Sequence, residues 1–283
     1  MSLALPLARR PGMVQAIPGF GLAFGVTLMW LVPIVLVPLL ALTLKPWELG
    51  LAGVWASLTE PRVLASLRLS FGTALLASAV NVPIGLLIAW AIVRQRFPGR
   101  AMLDAAVDLP FALPTAVAGI ALTALFATNG WLGAPIAAAT GWQVAFTPAG
   151  IVVALIFVGL PFIIRSVEPV LRDLAADVEE AAATLGATRR QTLVRVVLPA
   201  LLPAILTGFG LAFARAVGEY GSVIFIAGNM PMISEIAPLL IVVRLEQFDY
   251  AGAAAIGLAM LALSFLILLA LNLAQRALRR GRQ

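Results

Sequence analysis

The chain has 283 residues, of which 62% are apolar and 11% charged, and it carries a formal net charge of +6. Soluble domains contain roughly half apolar and about 25% charged residues, so these values exclude a soluble protein and predict an all-α integral membrane protein. The lack of cysteine and histidine excludes disulfides and argues against zinc sites and Cys–His or Ser–His catalytic pairs.

Stretches without charged residues predict the membrane spans, because a charge near the bilayer centre costs at least ~2.5 kcal/mol on insertion scales. Six transmembrane helices are expected, near 20–44, 69–93, 109–127, 149–165, 200–226 and 251–275. Residues 11–44 carry no charge, which is too long for a cleavable signal peptide and indicates a retained first span. The fifth helix is expected to continue past Arg215 to Ile226, because a full crossing needs that length.

Most of the 19 basic residues lie before the first span, after the second, between the fourth and fifth, and after the sixth. The positive-inside rule therefore predicts that both termini are cytoplasmic. The expected domains are a cytoplasmic segment 1–19, a permease domain 20–275 that includes a cytoplasmic loop 166–199, and a basic tail 276–283. The positive charge is thus a topology signal and predicts no nucleic-acid partner.

Pro110 and Pro114 interrupt the third predicted helix just before Thr115. Proline breaks are tolerated in membrane helices where neighbouring groups or water satisfy the freed backbone. This stretch is either an ordinary helix kink or a part of a translocation pathway, and the residues alone leave both interpretations open.

Residues 171–199 predict two short helices in the long charged loop. Asp173 is expected to cap the first, in which apolar residues recur at helical spacing. These apolar residues are Leu174, Val178, Ala181, Ala182 and Leu185, and the acidic residues of the opposite side are Asp177, Glu179 and Glu180. Lipid-surface helices usually carry Lys and Arg on their polar side, so the acidic side favours a protein partner.

Two local signals divide this loop. Gly186 is suited to end the first helix in a left-handed conformation. Thr188 and Gln191 have the spacing of a capping box, which predicts where the second helix begins.

Arg215 and Glu219 are four residues apart and are expected to share one face of the fifth helix. Ionisable residues within spans usually face the bundle interior or a water-filled cavity. They could hold helices together or line a pathway. The glycines beside Glu219 and Ser222 would let backbone N–H groups approach an anion, although glycine in membrane helices also permits close packing.

Glu180-Ala181-Ala182, Gly186 and Leu198-Pro199 resemble the signature loop of ABC importer permeases, with Val196 where isoleucine is usual. The resemblance extends over roughly residues 20–280. Segments 109–122, 129–133 and 215–229 are similar to sulfate/thiosulfate permeases of the CysT type. Molybdate permeases carry a segment related to 218–229.

This resemblance implies a type I ABC importer permease fold with a cytoplasmic coupling helix. The implied ATPase-coupling residues are Asp177, Glu179, Glu180, Ala181, Ala182, Leu185, Gly186, Leu198 and Pro199. The implied pathway or gate residues are Pro114, Thr115, Arg215, Glu219, Tyr220, Gly221, Ser222 and Asn229. A carboxylate on the route of a dianion would repel it, so a structural ion pair is the favoured interpretation of Glu219.

The resemblance also implies sulfate import across the bacterial inner membrane by alternating access, with thiosulfate as a further candidate. The implied partners are two ATPase subunits that bind ATP and magnesium, a homologous second permease and an extracytoplasmic sulfate-binding protein. No catalytic, cofactor or metal site is expected in this chain. A P-loop needs Gly-Lys-Ser/Thr, and the single lysine, Lys45, is followed by Pro46.

The sequence leaves three alternatives to this interpretation. A permease of the molybdate/tungstate branch would share the fold and the shape of the anion. A transporter driven by an ion gradient would be favoured by an acidic relay within the spans, but only Glu219 lies in one. An intramembrane enzyme lacks the usual nucleophile–base pairs.

Overall fold

The computed structural model describes residues 20–174 and 176–280, apart from the side chains of 176, 177, 179 and 277–280. These residues form α-helices joined by short turns, and no strand occurs among them. The first helices are α1 (Phe20–Leu31), α2 (Val37–Leu44), α3 (Gly50–Thr59), α4 (Pro61–Arg94), α5 (Arg100–Val107), α6 (Leu109–Ala112), α7 (Thr115–Phe126) and α8 (Gly133–Thr140). The remaining helices are α9 (Pro148–Asp173), α10 (Ala176–Thr184), α11 (Arg189–Thr192), α12 (Leu198–Val217), α13 (Val223–Ile226), α14 (Ala237–Glu246) and α15 (Tyr250–Arg280).

Among the described residues, five helical stretches are long and apolar enough to cross a membrane, and a sixth apolar helix is shorter. The long stretches are Phe20–Thr59, Pro61–Arg94, Pro148–Asp173, Arg189–Val217 and Tyr250–Arg276. The shorter one is α7, whose 12 residues extend about 18 Å at 1.5 Å per residue. Each of the six predicted spans therefore has a helical counterpart in an all-α protein.

The predicted third helix is not continuous. It is divided at Leu113 and Pro114 between α6 and α7, and Pro114 has the extended backbone of an N-cap residue. Proline cannot donate a backbone hydrogen bond and restricts the residue before it, so a new helix starts after it.

The predicted continuation of the fifth helix to Ile226 is wrong, because α12 ends at Val217. Residues 218–222 are not helical, and α13 follows as a single turn. Glu219 accepts hydrogen bonds from the backbone N–H and the Oγ of Ser222, which replace helical bonds. The prediction, which assumed that a full crossing must be helical throughout, failed because non-helical backbone is tolerated at membrane depth when protein buries it.

Helices α4, α9 and α12 form the centre of the bundle and pack against one another. One buried cluster surrounds Phe71 and Phe213, whose ring centroids are 6.2 Å apart. A second cluster lies nearer the end of α9 and includes Ile163 and Leu171. Gly208 allows the close approach of α12 to α9, because a Cβ there would lie 3.0 Å from the Cα of Ile163.

The first helical stretch lies at the periphery of the chain. In Phe20–Thr59 the most apolar stretch has no buried residue, and the contacts with α15 come from its second half. Its apolar side chains are therefore available to lipid or to another subunit.

Candidate functional site: the loop after α9 and the break after α12

The loop after α9 starts later than the sequence predicts. The helix continues to Asp173, and the Leu174 N–H still donates to the Val170 carbonyl over 3.0 Å. Asp173 is therefore not the N-cap of α10, as predicted, but the last residue of α9. The extension is stabilised by burial of Val167 and Leu171 in the second core cluster.

Gly186 ends α10 in the predicted left-handed conformation, with φ of +82°. Its N–H donates to the Ala183 carbonyl over 2.9 Å, and the Ala187 N–H donates to the Ala182 carbonyl over 3.0 Å. This pair of bonds is a Schellman motif. The helix is thereby closed and the chain turns sharply towards α11.

The predicted capping box at the start of α11 is present. The Thr188 N–H donates to Gln191 Oε1 over 2.8 Å, and the Gln191 N–H donates to Thr188 Oγ1 over 3.3 Å. These reciprocal bonds satisfy two free donors at the helix start. They fix the angle between α10 and the chain that leads into α12.

The outer side of α10 presents apolar groups to solvent. Leu185 is 89% exposed and Val178 is 41% exposed. Glu180 and Ala181 are also exposed, whereas Ala182 is half-buried. Burying such apolar area on a partner is favourable by ~25 cal/mol per Å². The Asp177 and Glu179 side chains lie outside the described residues.

Leu198 and Pro199 begin α12 and are half-buried. Leu198 packs against the second core cluster, and Leu174 at the other end of the loop packs against it as well. Both ends of the loop are thus attached to the same group of buried side chains in the bundle.

Arg215 and Glu219 form an ion pair, although Glu219 lies beyond the end of α12. Arg215 Nη1 is 2.5 Å from Glu219 Oε2, and the Glu219 side chain is 2% exposed. Glu219 Oε1 accepts from the Ser222 N–H and from Ser222 Oγ, each over 2.9 Å. Both carboxylate oxygens therefore have partners, as a buried charge requires.

The start of α7 packs directly on the non-helical segment 218–222. A Cβ on Gly221 would lie 2.2 Å from Thr115 Oγ1, and one on Gly119 would lie 2.4 Å from the Ser222 carbonyl oxygen. The structure thus brings Thr115, Gly221 and Ser222 together at the two helix breaks. Pro114 is exposed at the edge of this contact, and Tyr220 is half-buried against the first core cluster.

Asn229 bonds within its own part of the chain. Its backbone has φ of +54°, and its Nδ2 donates to the Ile224 carbonyl over 2.7 Å. These contacts shape the turn after α13.

Sequence reasoning missed an ion-pair network between α5 and the end of α9. Arg165 contacts Asp104, Asp108 and Glu168 over 2.7, 2.7 and 2.6 Å. Glu168 is buried and also pairs with Arg172 over 2.5 Å. The spacing of 165, 168 and 172 is a helical signal for the pairs within α9, but the contacts to α5 depend on the fold.

A second network of ion pairs lies at the start of α4. Arg62 forms two bonds of 2.7 Å with Glu235, and Arg244 pairs with Glu60 and Asp249. These bonds tie the start of α4 to the segments that precede α14 and α15.

Both the sequence and the fold resemble those of known proteins. Residues 81–282 match the family described as "Binding-protein-dependent transport system inner membrane component". The chain is 46% identical over 261 residues to the "Sulfate transport system permease protein CysT" of Escherichia coli (strain K12), covering 92% of this chain and 94% of that protein. It is 49% identical over 255 residues to the CysT protein of Synechocystis sp. (strain ATCC 27184 / PCC 6803 / Kazusa), covering 90% and 89%.

Among solved structures, the fold resembles a chain of a bacterial alginate ABC transporter in complex with an alginate-bound periplasmic protein. The TM-score is 0.75 at 18% identity, covering 91% of this chain and 93% of that one. A chain of the MetNI methionine ABC transporter gives a TM-score of 0.55 at 20% identity, covering 76% and 94%. These likenesses concern the fold.

Proposed function

Because the chain belongs to the family of binding-protein-dependent transport system inner membrane components, we propose that it is the permease subunit of an ATP-binding-cassette importer for sulfate. The observation that carries this proposal is the likeness to sulfate permeases at 46–49% identity over about nine-tenths of the chain. The proposed location is the bacterial inner membrane, with both termini in the cytoplasm. Thiosulfate is a candidate second substrate.

The loop helix α10 is the proposed contact with the ATPase. Gly186 ends it in a left-handed turn and the Thr188 cap starts α11 directly afterwards, while the exposed Leu185 and Val178 supply apolar area for a groove on the partner. The ATPase subunits, in two copies, would bind ATP and magnesium, and this chain would hold no cofactor of its own.

Movement of α10 would reach the bundle through both ends of the loop. Leu174 and Leu198 pack on one buried cluster, so displacing the loop pulls on α9 and α12 together. The Arg165 network extends this connection to α5, which leads to α6 and α7. The nucleotide-driven step would therefore act on the helix breaks by moving packed helices as units.

The contact between the start of α7 and segment 218–222 is the proposed gate. Thr115 and Gly221 are in direct contact, so separating or sliding the two breaks would open a polar route lined by hydroxyl and backbone N–H groups. Arg215 is half-buried and supplies a positive charge beside this route. The Glu219 carboxylate is already paired, which reduces its repulsion of an anion.

Two further proteins complete the proposed assembly. A homologous second permease would face this chain across the pathway. An extracytoplasmic sulfate-binding protein would deliver the anion to the end of the bundle opposite the loop.

Uptake of radiolabelled sulfate into proteoliposomes tests this function. The liposomes would contain this chain with its co-purified partners, with the binding protein outside and ATP inside. ATP-dependent uptake that survives excess molybdate is expected. Uptake without ATP would indicate a gradient-driven carrier, and loss of uptake with molybdate would move the substrate to the molybdate/tungstate branch.

A further inference from the structure

A cavity of about 780 Å³ lies at the side of the bundle between α4, the loop helices and the start of α12. Its volume is in the range of small-ligand sites, ~300–1,000 Å³. Most of its wall is apolar, formed by residues such as Pro83, Leu86, Trp90, Leu193, Val197 and Leu201. Gln95, Arg189 and Thr192 make the other end polar. The cavity is therefore amphipathic along its length.

The polar end lies where α4 leaves the apolar part of the bundle. Trp90 stacks beneath the Arg94 guanidinium, 5.9 Å from the ring centroid, and both residue types are common at the membrane–water boundary. Pro83 lies about 16 Å deeper than Arg94 along α4, at 1.5 Å per residue. Leu87, also in the wall, is 72% exposed and faces outward. The cavity thus extends from headgroup depth into acyl-chain depth, with an opening towards lipid.

A π-helical turn gives the cavity its shape on the side of α12. Residues Leu193–Val197 form this wider turn, in which Val197 is buried and Leu193 is 42% exposed. Such insertions in α-helices are frequent at functional sites. Both side chains contribute to the wall of the cavity.

The charge at the polar end is positive. Arg189 is the one charged side chain among the described residues of the wall, and Arg190 and Arg195 are exposed nearby in the chain. Basic pockets beside transmembrane helices attract anionic lipid headgroups. The apolar wall and the positive end match the two parts of an anionic lipid, an acyl chain and a phosphate.

We propose that this cavity binds an anionic phospholipid. One acyl chain would lie along Leu86, Trp90 and Leu201, and the phosphate would accept hydrogen bonds from Arg189. The Thr192 hydroxyl, which donates to the Thr188 carbonyl over 3.3 Å, would exchange that bond for one to the phosphate. Ala183 and Ala187, on either side of Gly186, also belong to the wall. The bound lipid would therefore contact the loop helices from below and hold them against α4.

The test measures lipid binding to the assembled, delipidated complex by native mass spectrometry. Phosphatidylglycerol and phosphatidylcholine with identical acyl chains are titrated separately, and the affinity of the tightest site is compared. We expect phosphatidylglycerol to bind about fivefold tighter or more. Arg189→Ala should abolish this preference, and Leu193→Trp should fill the cavity and abolish the site for both lipids.

Arg190→Ala is the matched control, since Arg190 is exposed on the same short helix but does not belong to the described wall. This variant should keep the preference. Equal binding of the two lipids, or an equal loss in Arg189→Ala and Arg190→Ala, would overturn the proposal.

A second measurement tests whether lipid or a protein partner occupies the cavity. The chain has no cysteine, so Leu87→Cys introduces a single thiol at the opening of the cavity. A fluorophore is attached to this thiol. Quenching of its fluorescence by brominated phosphatidylglycerol would support the lipid site. A cross-link from the same thiol to the second permease subunit, with no quenching, would show that a protein covers the cavity.

Discussion

Arg215 and Glu219 are joined across the end of a membrane-embedded helix, with Arg215 Nη1 2.5 Å from Glu219 Oε2. Arg215 is in the last turn of α12, and Glu219 lies in the non-helical segment that follows. The pair therefore fixes the geometry of the break as well as neutralising a buried carboxylate.

Replacing Arg215 with alanine should lower both sulfate uptake and the melting temperature of the complex. Removing one partner of a buried pair costs ~3–5 kcal/mol, reduced here because Arg215 is partly exposed. The double variant Arg215→Ala/Glu219→Gln separates the two effects. It should recover the melting temperature, while uptake stays at least about tenfold below wild type, because the pathway still lacks its cation. Recovery of uptake would show that Arg215 acts through Glu219 alone.

Gly221→Ala should impair uptake strongly, because the new Cβ would lie 2.2 Å from Thr115 Oγ1. Gly218→Ala is the matched control, since a Cβ there meets nothing within 4 Å. Adding Thr115→Ala to Gly221→Ala should restore part of the uptake by removing the hydroxyl. Equal uptake by the two single glycine variants would remove this contact from the gate.

Leu185→Ser should weaken co-purification of the ATPase without lowering the stability of the isolated chain, because Leu185 is 89% exposed. Glu180→Arg should have a similar effect by reversing a charge on the same helix. Met102→Ser offers a control with similar exposure, 80%, on α5. Unchanged ATPase co-purification in Leu185→Ser and Glu180→Arg would exclude α10 as the docking helix.

Gly186→Val should also weaken ATPase docking. It would do so by changing the direction of the loop after α10, and not by removing a contact with the ATPase. A Cβ at Gly186 meets none of the described atoms within 4 Å, so the expected cost is the backbone strain of φ +82°, about 1–2 kcal/mol. Gly186→Asn should retain most of the docking, because asparagine adopts this conformation more easily. Pull-down of the ATPase measures both variants, and equal loss would indicate that the site tolerates no side chain.

Arg165→Gln should destabilise the complex by ~2 kcal/mol, because three carboxylates lose a charged hydrogen-bond donor. Arg172→Gln is the control, since its side chain is 50% exposed and pairs with Glu168. It should cost less than ~1 kcal/mol. Thermal unfolding of the assembled complex compares the two, and equal shifts would contradict a central role for Arg165.

Features set by neighbouring residues were predictable from the sequence. Gly186 and Thr188 each act through bonds within a few residues, so their spacing was sufficient to predict the turn and the cap. The six apolar helices were also predictable, because the absence of charge is a property of each segment.

Features set by distant residues were not predictable in this way. The contact of Thr115 with Gly221 joins two breaks far apart in sequence, and the bonds of Arg165 to Asp104 and Asp108 depend on the packing of α5 on α9. The end of α12 at Val217 was not predicted, because the thickness of the bilayer sets the length of a span but not the position at which buried backbone can leave the helical conformation.

The position of the Arg215–Glu219 pair has a consequence for synthesis of the protein. The first helical stretch can enter the bilayer alone, since its apolar residues are exposed and its longest apolar window carries no charge. The helix that bears Arg215 is less favourable in lipid, and it packs against α4 and α9, which are made earlier. Because α4 and α9 precede α12 in the chain, the newly made charged helix has a protein surface to pack against, which favours its insertion over exposure of Arg215 to lipid.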